Sequence, residues 1–276
     1  MMACAEAVAP LVAEIKRYIL SQPVIHCDET HVQVLAGTNK KPTSKSYMWV
    51  LASAKDAHPA SVFQFYPDRS QASALDFLKS YKGFLHVDGY DGYSQVCSQL
   101  SVTRVACWAH VRRKFESAFK EGAPAGKSLA ELFLTEIQSL LEKEIESLSA
   151  LEKQNMRLEK ATPIIQNIRK LIDENVNKVL PRSKLGDAFG YISNEWPHLL
   201  HFLGNGLIAL SNNKVENAIR PFAIGRKNWL FSYSTRGAQA SAILYSLIAT
   251  AKDHDLHVEE YLNDLFLNIT LLKKSP

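Results

Sequence analysis

Val24-Ile25-His26-Cys27-Asp28-Glu29-Thr30, with Val32-Gln33-Val34-Leu35 directly behind it, lies between Pro23 and Gly37. Apolar and β-branched residues between such breakers predict a strand carrying an acid. Ser46-Tyr47-Met48-Trp49-Val50-Leu51-Ala52 predicts a second strand and Ser61-Val62-Phe63-Gln64-Phe65-Tyr66 a third. Short connections between the three predict an antiparallel meander, with a turn rich in Lys, Thr and Ser over 37–45. Gly83-Phe84-Leu85-His86-Val87-Asp88-Gly89-Tyr90 predicts a fourth, apolar strand stopped by Asp88-Gly89. Thr103 to His110 predicts a fifth that runs into Val111-Arg112-Arg113-Lys114-Phe115. Helical spacing of apolar residues predicts helices over 5–20 and 72–81.

The pattern changes near Glu121. Leu129, Leu132, Phe133, Ile137, Leu140, Leu141, Ile145 and Leu148 recur every three or four residues, and Pro163 and Gly186 mark two further helices. Such stripes are the mark of bundle packing. Beyond them, Ser211-Asn212-Asn213-Lys214-Val215-Glu216-Asn217-Ala218-Ile219-Arg220-Pro221 predicts a helix capped by Asn213, with Glu216 placed as in a capping box. Pro221 is expected to end or kink that helix at Arg220. Asn228 to Tyr233 is expected to be extended, with helices over 238–252 and 258–269 and a solvated tail at Lys273-Lys274. The expected class is therefore α/β, a mixed five-stranded sheet with flanking helices. Its parts are an N-terminal helix (1–22), a first core segment (23–120), an all-helical insertion (121–206) and a second core segment (207–276).

A chain of 276 residues with 46% hydrophobic and 22% charged residues has ample material for a buried core. The net charge of +4 permits a nucleic-acid partner without demanding one, so local clusters decide. Cysteines at 4, 27, 97 and 107 form no Cys-x-x-Cys pair and suit a reducing cytoplasm better than a disulfide or zinc framework. No apolar run reaches membrane-spanning length, and the first residues do not resemble a secretory signal. The expectation is a soluble cytoplasmic protein.

Asp28 and Asp88 are each expected to end an apolar strand, and Glu216 to start a helix beyond the insertion. In open α/β sheets, reactive groups collect beyond the carboxyl ends of the strands. Three carboxylates brought together would repel one another unless cations screened them. Mg²⁺ answers that need, and two such ions can clamp the attacking and leaving oxygens of a phosphoryl displacement. Glu29, adjacent to Asp28, is expected on the opposite face of the strand.

The segments HCDETHVQVL, HVDGYDGY, CWAHVRRKFESA, LPRSKLGDAFGYI, NNKVENAIRPFAIGRKNWLFSYSTRGAQASAILYSLIATAK and VEEYL make the chain similar to the catalytic part of bacterial insertion-sequence transposases of family sixty-six. The resemblance runs from about Ala7 to Leu265. It implies a ribonuclease-H-like fold and DNA transposition, that is, nicking at the element ends and attack of the freed 3′-hydroxyl on target DNA. It implies Asp28, Asp88 and Glu216 as both catalytic and metal-holding residues, with two Mg²⁺ or Mn²⁺ ions. It also places Cys107-Trp108-Ala109-His110 on a Cys-x-x-His element that follows the second acid. The family pattern differs at two positions, where this chain has Ser211 and Asn217. Full-length members carry N-terminal DNA-binding and metal-finger segments, after which this chain is expected to start.

Cys107 and His110 are expected to brace the active-site strand as a buried thiol and a hydrogen-bonded imidazole. Arg112, Arg113 and Lys114 form a basic run. Arg220, Arg226, Lys227 and Arg236 surround Trp229, a composition suited to a phosphate track with a stacking platform. The expected partners are element-end and target DNA, further copies of the chain on that DNA, and helper proteins, with no membrane. Two other readings stay open: a catalytically impaired DNA-binding remnant of a transposase, and a metal nuclease without strand transfer.

Overall fold

The acid-bearing strand is β1 (Val24–Ala36), 13 residues long in the computed structural model of the chain. The structure describes residues 1–37, 41, 43–54, 58–121, 124–142 and 147–272, with backbone alone at 124–127 and 270–272. Parts of the 37–45 turn, Ile145 and Lys273-Lys274 lie outside the described residues. Asp28 does not end its strand as expected: it is the fifth residue of β1, with eight more beyond it. The apolar run pauses there, but the ladder to the next strand does not, because backbone pairing is indifferent to the side chain.

β1 pairs antiparallel with β2 (Lys45–Ser53), and β2 with β3 (Ser61–Tyr66), which is the expected meander. The sheet order is β3-β2-β1-β4-β5, with β4 at Phe84–His86 and β5 at Thr103–Val105. A short sixth strand, β6 (Ser232–Ser234), lies parallel to the end of β1, with Val34 opposite Ser232 and Ala36 opposite Ser234. The sheet is thus mixed and six-stranded rather than five-stranded.

By contact density the chain divides into two units: 1–85, 90–103 and 213–276 in the first, 86–89 and 104–212 in the second. In the first unit, residues directly opposite in an antiparallel pair share a face, so the register sorts β1 and β2 into two sides. One side carries Val32, Val34, Met48, Val50 and Ala52. Val215, Ile219 and Phe222 of α10 (Asn213–Trp229) and Ala238 and Ala242 of α11 (Thr235–Asp253) belong to the same apolar core. The other side carries Trp49, whose ring meets Tyr66, Phe77 and Tyr93 edge-on at 5.9–6.3 Å. These come from β3, α2 (Gln71–Phe77) and α3 (Asp91–Leu100). Lys16 of α1 (Met2–Leu20) adds a bond to Gln64 at 2.8 Å and lies over the Phe77 ring. α3 went unexpected because it is rich in Ser, Gln and Gly; only Tyr93, Val96 and Cys97 are buried, three and four apart.

Gly83 enters β4 at φ +144°, and a Cβ there would come within 2.6 Å of the Pro23 carbonyl. Only glycine accepts that conformation without strain.

Two local expectations are not met. The fifth strand stops at Val105, and α4 (Trp108–Glu121) begins where the strand was expected to continue. α10 does not end at Arg220 but continues past Pro221 to Trp229. An interior proline costs about 3 kcal/mol, and each large apolar side chain fully buried returns about 1.5–3 kcal/mol. Val215, Ile219 and Phe222 are all buried, so packing outweighs the local break.

The second unit is helical. α4 is followed by α5 (Pro124–Glu142), α6 (Ala150–Met156), a π-helical turn at Arg157–Ala161, α7 (Thr162–Asn175), α8 (Lys184–Leu199) and α9 (His201–Gly204). At its centre Phe115 stacks on Phe133 at 4.2 Å, and Phe189 meets both edge-on. The buried guanidinium of Arg157 donates to the carbonyls of Phe202 and Asn205 at 2.9 and 3.0 Å, satisfying acceptors that the short α9 leaves open.

Burial raises the hydroxyl pKa of Tyr66, Tyr81, Tyr93 and Tyr191, with Asp76 adding to it at Tyr66 and Glu195 at Tyr191. The unfolded chain releases these protons near pH 10 while the folded chain keeps them. Stability is therefore complete below pH 10 and falls above it, by up to about 1.4 kcal/mol per pH unit for each tyrosine. Urea titrations between pH 8 and 11.5 are expected to show that decline, and a flat profile would contradict the burial of these rings.

Candidate functional site

Asp28 is opposite Val50 in the β1–β2 register, and Val50 belongs to the core that contains α10. Asp28 therefore lies on the sheet face that α10 covers. It is half-buried, and its Oδ1 accepts the backbone N–H of Glu29 at 2.8 Å. Glu29 pairs with Trp49 on the opposite face, as expected. There its buried carboxylate binds the Arg69 guanidinium and accepts the Tyr93 hydroxyl. Arg69 in turn lies 3.6 Å over the Tyr90 ring.

Glu216 is in the first turn of α10, half-buried, one residue past the buried Val215. Asn213 is exposed and is the first helical residue rather than the residue before the helix; that position falls to the buried Asn212. Lys214, beside Glu216, pairs with Asp253 at the end of α11 at 2.8 Å, which ties the start of α10 to its neighbour. Asp28 and Glu216 thus belong to one unit, Asp28 on the sheet face that α10 covers and Glu216 in the first turn of α10.

Asp88 follows β4 by two residues and belongs to the second unit. Its carbonyl accepts the Arg104 guanidinium at 3.3 Å, and Arg104 is held by a buried ion pair with Glu195 of α8. Tyr191, one turn earlier on α8, presses on Gly89 so closely that a Cβ there would lie 2.6 Å from the ring. The Asp88-Gly89 turn is therefore pinned from one helix. Sequence reasoning missed Arg104 and Glu195, although a signal existed: Ala188, Ile192, Glu195 and Leu199 share one inward stripe of α8.

Cys107 and His110 are not on a strand; Cys107 precedes α4 and His110 is in its first turn. The buried Cys107 thiol accepts the Asn212 N–H at 3.1 Å, so it holds the segment that leads into α10. The basic run Arg112-Arg113-Lys114 is on α4, where Arg112 pairs with Glu116, and Arg113 and Lys114 are exposed. Among the cations around α10, Arg220 and Lys227 are exposed. Arg226 instead reaches β1, donating to Thr30 Oγ1 at 2.9 Å and to the His31 carbonyl, and burial lowers its pKa. Arg236 is paired with Glu6 at 2.6 Å. Trp229 is half-buried and meets Phe222 edge-on at 5.2 Å, so it is packed on the core rather than offered as an open platform.

The fold is mixed α/β, with Asp28 on a helix-covered sheet face and Glu216 in the first turn of the covering helix. The family model "Transposase IS66 family" matches residues 1–240, and the chain belongs to that family. Three relatives from Sinorhizobium fredii (strain NBRC 101917 / NGR234) match nearly all of it. The uncharacterized protein y4jD is 32% identical over 94% of this chain and 53% of its own length. The uncharacterized proteins y4hP and y4qI are 26% and 29% identical, over 95% and 89% of this chain and 51% and 47% of theirs. The chain spans about half the length of the curated relatives it matches. Among solved structures, a Drosophila P element transposase strand transfer complex is similar at 10% identity and a TM-score of 0.49, over 85% of this chain and 80% of that one. No helix among the described residues is long and apolar enough to cross a membrane.

Proposed function

We propose that this chain is the catalytic part of a DNA transposase, with a ribonuclease-H-like core interrupted by the helical segment 121–206. In this reading Asp28, Asp88 and Glu216 act as one metal-binding set for strand cleavage and strand transfer. The observation that carries it is that Asp28 lies on the sheet face that α10 covers while Glu216, 188 residues further on, lies in the first turn of α10, in a chain of this family.

The donor set suits the ions the mechanism needs. Carboxylate oxygens are hard donors, and Asp28 and Glu216 are both half-buried. When bound, two divalent ions would supply positive charge to the attacking and leaving oxygens of the phosphodiester. The chain's own residues do the rest. The Glu29 N–H orients the Asp28 carboxylate, the Lys214–Asp253 pair fixes the start of α10, and Arg104 fixes the Asp88 backbone. Arg220, Lys227, Arg113 and Lys114 supply exposed cations for phosphates, with Arg112, Arg226 and Arg236 in reserve behind their present partners. The working form is a DNA-bound homo-oligomer in the cytoplasm, assisted by helper proteins.

The test is an assay of Mg²⁺-dependent nicking and joining on DNA that carries the element ends. Nicking followed by joining supports the proposal. Nicking without joining favours a nuclease, and DNA binding without either favours an impaired remnant, for which Ser211 and Asn217 would be the residues to restore.

A further inference from the structure

We infer that the segment Leu230–Tyr233 is a base-stacking wedge for DNA bases displaced from the duplex, with Phe231 and Tyr233 as its contact surfaces. The inference rests on the DNA-binding reading above and adds the state of DNA that is recognised. It begins with an exchange of roles. Trp229, the aromatic expected to face DNA, is turned to the core, while Leu230, Phe231 and Tyr233 are 61%, 42% and 74% exposed.

The segment is held rather than loose. Leu230 leaves α10 at φ +64°, a left-handed conformation that a bulky side chain adopts only when its surroundings impose it. Its N–H bonds to the Arg226 carbonyl and that of Phe231 to the Trp229 carbonyl, each at 2.8 Å. Ser232 and Ser234 then pair with β1. Because side chains alternate along a strand, the two serines are half-buried while Phe231 and Tyr233 share the exposed face. Serines on the covered side and aromatics on the wet side reverse the usual pattern. Adjacent apolar side chains presented to water in this way mark an interaction surface.

Charge identifies the partner. From Asn217 to Lys252 the chain carries Arg220, Arg226, Lys227, Arg236 and Lys252 and no Asp or Glu. An apolar protein groove would not call for that surplus, whereas nucleic acid offers phosphates for the cations and flat faces for the rings. Every base has a π-face, so such stacking is sequence-tolerant. In an intact duplex those faces are covered by neighbouring bases. The fitting ligand is therefore DNA with unpaired bases, as at a frayed end or a flap.

The experiment compares binding of the chain to a 30-base-pair duplex and to the same duplex with a three-nucleotide flap containing 2-aminopurine. Wild type is expected to prefer the flap about tenfold and to quench the 2-aminopurine fluorescence, the scale of one or two stacked bases. Phe231→Ala/Tyr233→Ala is expected to lose the preference and the quenching while duplex affinity changes by less than about twofold. Phe231→Trp/Tyr233→Trp is expected to keep both. Tyr233→Ser alone is the fallback if the double variant does not fold, with quenching reduced. Salt-sensitive duplex binding without flap preference would overturn this inference and leave the DNA reading intact. Binding to neither probe would instead remove the DNA reading. A variant that loses self-association in sedimentation but keeps the flap preference would reassign the patch to a contact between copies of the chain.

Discussion

Glu216→Gln is expected to reduce Mg²⁺-dependent nicking about a hundred- to a thousandfold, the loss that follows when charge stabilisation at a developing oxyanion is removed. Folding should be nearly unaffected, because Glu216 is only half-buried and the amide keeps its volume. Duplex affinity should also hold, since the exposed cations remain. Nicking is measured on a supercoiled substrate with element ends and folding by thermal unfolding. Unchanged nicking would remove Glu216 from the site. Lost nicking with a collapsed fold would make it a structural residue. The same substitution at Glu29 is the informative contrast: Glu29 is buried on the opposite face with Arg69 and Tyr93, so Glu29→Gln is expected to cost stability first.

The second large effect is expected at the Arg104–Glu195 pair. Both side chains are buried, at 6% and 7% exposure, so removing either one strands a charge in the helical unit. Arg104→Met and Glu195→Met are each expected to destabilise that unit by about 3–5 kcal/mol. The double variant Arg104→Met/Glu195→Met leaves no buried charge and is expected to recover most of the loss. Hydrogen exchange of the α8 amides reads this locally. A double variant whose loss equals the sum of the two single losses would show that the pair itself contributes nothing. Stability and activity should then separate. The Arg104 guanidinium also donates to the Asp88 carbonyl, so the recovered double variant is expected to remain poor at nicking. Full activity in it would show that the Asp88 turn needs no such support.

Short-range pattern carried much of this architecture. The three-strand meander is legible because turn residues separate β-branched runs, and the long helices because their apolar residues recur at three and four. Glu29 could be set apart from Asp28 because adjacent strand residues face opposite ways. The family likeness was likewise readable along the chain.

The rest depended on which surfaces meet. An apolar run such as Thr103–His110 reads alike as strand or buried helix, and the bonds of Ala106 N–H to His198 O and Trp108 N–H to Leu210 O decided for a short strand and a helix. Pro221 should break a helix by local preference, yet burial of Val215, Ile219 and Phe222 is worth more than the break costs. Arg104 and Glu195 lie 91 residues apart, and no local spacing names such a partner. Trp229 and Tyr233 look equally available in a string of letters. What by itself the sequence determined was the periodicity of the strands and long helices and the order of the acids along the chain. Which side of each element is covered, and by what, was decided only by tertiary packing, because burial energy is collected between segments far apart in the chain.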